Sequence, residues 1–132
     1  RDTKLVREQA YRQTYNKRQM GADWERKAGA YLEGQGYQIL QFNYRCRAGE
    51  VDIVARDGSF FVFCEVKYRK TARKGGSLEA VTPRKRRTIS RCALFYLMEH
   101  HLAGVPCRFD VVGIEGSREK ITLIKGAFEY EE

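Results

Sequence analysis

Asp57-Gly58 lies between two apolar runs in the stretch from Gly49 to Lys67, GEVDIVARDGSFFVFCEVK. Asp-Gly favours a two-residue hairpin turn because both residues tolerate positive φ. Folding about that dipeptide predicts two antiparallel strands, with Arg56 facing Ser59, Asp52 facing Phe63 and Glu50 facing Glu65. Side chains alternate along a strand, so Asp52, Glu65 and Lys67 share one face, with Asp52 and Glu65 as diagonal neighbours. The other face carries Val51, Ile53, Ala55, Phe60, Val62, Cys64 and Val66. It is wholly apolar and is predicted to be core. A slip of one residue would put Asp52 and Glu65 on opposite faces.

The charged face is the anomaly, because Val54, Phe61 and Phe63 line it too. Carboxylates this close repel, and burying them costs several kcal/mol without compensation. A divalent cation compensates naturally. Two carboxylates, completed by waters and a phosphate, suit Mg²⁺ or Mn²⁺. Lys67 is placed to hold a water or to stabilise developing negative charge.

With 132 residues the chain can build one domain with a real core. No apolar run approaches a membrane span and no signal peptide stands out, so a cytoplasmic protein without membrane contact is expected. Cys46, Cys64, Cys92 and Cys107 are scattered singly, without zinc-ligand spacing, and read as reduced thiols. The net charge of +8 is uneven. From Lys67 to Arg91, basic residues face a single acid, Glu79. A basic surface beside a carboxylate face points to a polyanion, nucleic acid above all; the bland alternative is a solvated charged face.

Residues 1–20 are a basic extension, possible as a helix through Tyr11 and Tyr15, and read as a solvated lead-in or a nucleic-acid arm. Gly21 is expected to break that pattern, and residues 21–132 to form a single domain. Trp24, Ala28, Tyr31 and Leu32 recur at helical spacing, and Gly34 and Gly36 end that helix. Glu25 lies at the edge of its apolar stripe. Spacing alone leaves it between an exposed helical glutamate and an acid looking into a site. Tyr37 to Phe42 reads as a first strand. Tyr68 to Ala80 is a basic loop placed to close on a substrate. Thr82-Pro83 starts a second helix running to about His100, with Lys85 at the boundary of its apolar side. Arg108 to Ile114 and Lys120 to Lys125 read as two further strands. Asp110 interrupts the first of them, as a strand-end polar residue or a group supporting the site. His100 and His101 suit the helix C-terminus, and no acid accompanies them. The order helix, three strands, loop, helix, two strands predicts an α/β domain around a central mixed sheet flanked by helices.

Asp52 with Glu65-Val66-Lys67 on adjacent strands, after a helix bearing Glu25, resembles the PD-(D/E)xK nuclease superfamily. GEVDIVARDG, FVFCEVKYRK, Gly75-Gly76, Ala80-Val81-Thr82, Lys85, RFDVV at 108–112 and IKGAF at 124–128 resemble the YraN-like family of bacterial proteins over about residues 21–130. That family is predicted to be endonuclease-like, with distant similarity to archaeal Holliday-junction resolvases. The resemblance implies a restriction-endonuclease-like core. It implies Asp52 and Glu65 as ligands of Mg²⁺ or Mn²⁺, assisted by the Val66 carbonyl. Lys67 would orient the attacking water, and Glu25 would be the accessory acid of the first helix. Lys85 would match the family's helix lysine and contact phosphate. Val51 stands where the superfamily often has proline, which supplies no ligand.

The expected function is therefore metal-dependent hydrolysis of DNA phosphodiesters by an endonuclease. Arg69, Lys70, Arg73, Lys74 and Lys85 would hold flanking phosphates. Branched DNA and a homodimer follow by analogy alone. Two alternatives stand beside it: a nucleic-acid-binding protein of the same fold without turnover, and an interaction domain whose acids pair with nearby arginines.

Overall fold

The computed structural model describes residues 3–71 and 81–132, with side chains from residue 19 onward. Among the described residues seven elements follow in order: α1 (Thr3–Gly34), β1 (Gln38–Cys46), β2 (Gly49–Asp57), β3 (Phe60–Arg69), α2 (Pro83–Glu99), β4 (Cys107–Glu115) and β5 (Lys120–Phe128). The five strands form one mixed sheet in sequential order, β1 to β5. Only β3 and β4 pair in parallel; the other neighbours are antiparallel. A parallel pair needs a crossover, and α2 lies within the one that joins β3 to β4.

The two faces bury different helices. On one, Ala28 and Leu32 of α1 pack with Ile53, Ala55, Val62, Cys64, Val112 and Ile114. On the other, Ile89, Cys92, Ala93, Tyr96 and Leu97 of α2 pack with Val54, Phe61, Phe63, Phe109 and Val111. This three-layer α/β arrangement fits a restriction-endonuclease-like core.

The helix ends follow the local chemistry. Gly36 takes φ +96, and the amides of Gly36 and Tyr37 reach back to the carbonyls of Glu33 and Leu32 at 3.0 Å each. That closes α1 with the paired bonds of a Schellman turn. Thr82 caps α2, its hydroxyl accepting from the Lys85 amide at 3.2 Å, with Pro83 at the first helical position.

Three expectations are corrected. First, Gly21 does not break the chain: α1 runs unbroken through it. Among the described residues no atom crowds that position, and an exposed glycine costs a helix only about 1 kcal/mol. Second, the central hairpin turns at Gly58-Ser59, not Asp57-Gly58. Asp57 faces Phe60, and Val54, not Asp52, faces Phe63. Asp57 stays in the strand because Arg108 and Lys125 hold its carboxylate at 2.7 and 3.4 Å. Gly58 takes φ +61 as the first central residue of the turn, where a Gly-X turn wants it. The register moves by two, which brings Asp52 level with Glu65 just past the last ladder pair, Ile53 and Cys64. Third, Val51 packs against the α2 side with Tyr44, whereas Ile53 packs against the α1 side with Phe42. The strands exchange faces between these residues.

Candidate metal and nucleic-acid site

The β2–β3 ladder runs only from Asp57↔Phe60 to Ile53↔Cys64. Beyond it the strands part, and Asp52 Oδ2 accepts the Val66 amide at 2.8 Å in place of a ladder bond. Glu65 lies beside Asp52 and is 4% exposed. One of its oxygens, Oε2, is 3.5 Å from the Lys67 ammonium and 3.8 Å from the Lys85 ammonium. The other, Oε1, is buried with no hydrogen-bond partner among the described residues. Lys67 and Lys85 keep about a third of their side chains in solvent. Lys85 reaches the site because the Thr82 cap starts α2 three residues earlier.

From the opposite face, α1 delivers Glu25, which is half-buried. Acids from both sides of the sheet therefore meet at Asp52, where the ladder opens. Burial, then the Asp52 carboxylate, push the Glu25 carboxyl up to about 7, while a hydrogen bond from the Asn43 side chain pulls it back. Burial and Asp52 push Glu65 up to about 8, against the pull of Lys85 and Lys67. Glu50 pairs with Arg45 at 3.4 Å and adds to the negative potential at Glu25.

This donor set fits a hard divalent cation. Two carboxylates converge, and among the described residues a buried oxygen lacks the partner that buried polar atoms almost always have. Among the described residues no group of three or more His, Cys, Asp or Glu is arranged to cage an ion. A two-carboxylate set suits a cation that retains several waters, as Mg²⁺ does.

Glu25, Asp52, Glu65, Val66, Lys67 and Lys85 are thus brought together. Arg69 is half-buried at the end of β3, opposite Glu115, and Lys70 is exposed just beyond it. Arg73, Lys74 and the Gly75-Gly76 loop lie outside the described residues. Asp110 does not support the site. It is fully buried on β4, where it accepts from Tyr37 Oη at 2.6 Å, Arg108 Nε at 2.9 Å and the Gly126 amide at 3.0 Å. His100 stacks on Tyr96, away from the acids. Sequence reasoning missed Trp24, which stacks on Tyr68 with ring centroids 4.2 Å apart and ties α1 to β3 beside Glu25 and Lys67. Its only signal was that each aromatic adjoins a candidate site residue. Asn43 was missed too, because the first strand was read as ending at Phe42, whereas β1 runs on through Asn43 to Cys46.

The sequence model of the uncharacterised protein family UPF0102 matches residues 24–114, which span every element from the site-bearing end of α1 to β4. The chain belongs to the UPF0102 family, the YraN-like proteins. A UPF0102 protein of Lachnoclostridium phytofermentans is 50% identical over 115 residues, covering 86% of this chain and 96% of that one. One from Syntrophus aciditrophicus is 49% identical over 121 residues, covering 90% and 94%. A third, from Pseudomonas fluorescens, is 40% identical over 112 residues, covering 84% and 93%. These UPF0102 relatives are matched along nearly their whole length. Among the described residues no helix is long and apolar enough to cross a membrane.

Proposed function

We propose that this protein is a metal-dependent endonuclease that hydrolyses phosphodiester bonds in DNA. The observation that carries the reading is the buried Glu65 Oε1 beside Asp52, without a hydrogen-bond partner among the described residues and with two ammonium groups at the rim. Asp52 and Glu65 would hold Mg²⁺ or Mn²⁺, with the Val66 carbonyl as a further oxygen donor. When bound, the cation supplies charge neutralisation, polarisation of the phosphodiester and acidification of a water.

The remaining work falls to side chains. Lys67, 3.5 Å from Glu65 Oε2, orients the attacking water and stabilises negative charge as it develops on the phosphate. Glu25, raised to about 7, can carry or release a proton at neutral pH, as a general acid-base group must. Lys85 holds a phosphate oxygen from the α2 side. Arg69, Lys70, Arg73 and Lys74 hold flanking phosphates, which supplies affinity without sequence preference. On a two-fold symmetric junction the protein would act as a homodimer.

A second reading has its own support. Glu65, raised to about 8, can hold a proton at pH 7, which relieves its repulsion with Asp52 without a cation. The protein would then bind nucleic acid through its basic residues and cut nothing. Cleavage of labelled four-way junction, duplex and single-stranded DNA with Mg²⁺ or Mn²⁺, beside Asp52→Asn, separates the two. Metal-dependent cutting that vanishes in the variant supports the nuclease, and the preferred DNA names its substrate. Salt-sensitive binding without cutting in either metal supports the binder.

A further inference from the structure

Of the non-glycine residues with positive φ among the described residues, His101 and Glu119 lie in turns. Asn43 lies inside strand β1 with φ +55. Asparagine tolerates the left-handed region better than other side chains; a β-branched residue there is an outlier. Its neighbours tell what the conformation does. Phe42 pairs with Ile53, and both belong to the α1 side of the sheet. Tyr44 pairs with Val51, and both belong to the α2 side. Regular alternation would keep residues two apart on one face. The face exchange falls on the residues between these pairs, Asn43 on β1 and Asp52 on β2.

We infer that Asn43 is a positioning residue for the proposed reaction: its left-handed backbone inverts the β1–β2 pair and thereby turns Asp52 into the opening between β2 and β3. This deepens the nuclease reading and rests on it. Without the inversion Asp52 would continue the alternation set by Val54. It would then project squarely to the α2 side, out of reach of Glu25 on the α1 side. With it, one carboxylate reaches the Val66 amide at 2.8 Å and adjoins Glu25 of α1 and Glu65 of β3.

The test compares Asn43→Gly, Asn43→Ala and Asn43→Val in the full chain. Glycine keeps the backbone freedom and loses only the amide; alanine and valine resist positive φ. The first readout needs no metal: hydrogen exchange of the Val66 amide, which Asp52 protects. Exchange should quicken roughly ten-fold in Asn43→Ala, the scale of the left-handed penalty, and more in Asn43→Val. It should stay within about three-fold of wild type in Asn43→Gly, because glycine carries no such penalty. Amides elsewhere in β3 and β4 should stay protected in all three, which general destabilisation would not allow. Should Asn43→Val fail to fold, alanine against glycine decides. The second readout is Mg²⁺-dependent cleavage, expected to follow the same order. Equal Val66 protection in glycine and alanine variants overturns the inference whatever the activity. A wild-type protein that cuts nothing, with Val66 exchange still slower in the glycine variant than in the alanine one, overturns the nuclease and leaves Asn43 as the residue that places Asp52.

Discussion

Two polar networks sit along β2, and they are built to opposite rules. At the hairpin end, Asp57 and Asp110 share Arg108, with Tyr37 Oη and Lys125 completing the set. Arg108 gives bonds of 2.7 Å to Asp57 and 2.9 Å to Asp110. Those bonds hold Asp57 below the usual carboxylate range and push Arg108 up. At the other end, Glu25, Asp52 and Glu65 crowd together, the Lys67 and Lys85 ammonium groups stand 3.5 and 3.8 Å from Glu65, and one buried oxygen has no partner among the described residues. Burial and mutual repulsion push Glu25 and Glu65 up. The same residue types serve both ends. Only the first is closed by its own side chains. The second arrangement costs stability, a cost that the proposed cation would offset.

The sharpest way to break the contrast is to remove the acids. Asp52→Asn and Glu65→Gln should each lower DNA cleavage by about a thousand-fold or more, as losing a group of the catalytic constellation does. DNA binding should hold or tighten, since a negative charge is gone. Unchanged cleavage in either variant would end the metal assignment.

The closed network should respond through stability instead. Arg108→Met leaves Asp110 buried with only Tyr37 and the Gly126 amide, and should cost about 3–5 kcal/mol in urea unfolding. Glu65→Gln should stabilise at pH 8 without divalent cation, because it removes a destabilised charge. A destabilisation in Glu65→Gln matching that in Arg108→Met would make the two networks alike and the comparison void.

Titration separates them further. Glu25 and Glu65 bind protons more tightly folded than unfolded, so the folded state holds extra protons from about pH 4.5 to 8. Their contribution is full below that window and is lost as pH rises through about 7 and 8. Asp57 runs the other way: its contribution is present at neutral pH and is lost as pH falls through its lowered value. The melting temperature without cation should fall from about pH 5 to about pH 8.5. Glu65→Gln should flatten that slope, and Mg²⁺ should restore stability at the alkaline end in wild type alone. A flat profile in wild type would show that burial leaves these carboxyls unperturbed.

The smallest effect concerns affinity. Reversing the charge of Arg69 and Lys70 should weaken binding of all DNA sequences alike and reduce the salt slope by roughly one for each phosphate no longer held. Filter binding across salt concentrations measures it, and weakening confined to one sequence would contradict the assignment to phosphates.

Much of this was legible in the chain. Period-2 alternation predicts Asp52 near Glu65 and Lys67, and a turn misplaced by one position shifts the register by two, which preserves parity along the ladder up to Ile53 and Cys64. Thr82-Pro83 fixes the phase of α2, so Lys85 could be aimed at the site from sequence. Gly21 misled because glycine's penalty is small where nothing else opposes a helix. Val51 misled because alternation assumes uniform strands, and a left-handed Asn43 leaves no mark in periodicity. Asp110 looked like an interruption because its partners, Tyr37, Arg108 and Gly126, come from separate places in the chain. Only packing brings them together.

The most direct test of the account is calorimetric titration of Mg²⁺ and Mn²⁺ into the wild-type protein, Glu65→Gln and Arg108→Lys at about pH 8, where the Glu65 carboxyl can ionise. The account predicts one or two ions bound by wild type and by Arg108→Lys, and none by Glu65→Gln. Equal binding in all three, or none in wild type at millimolar metal, would contradict it.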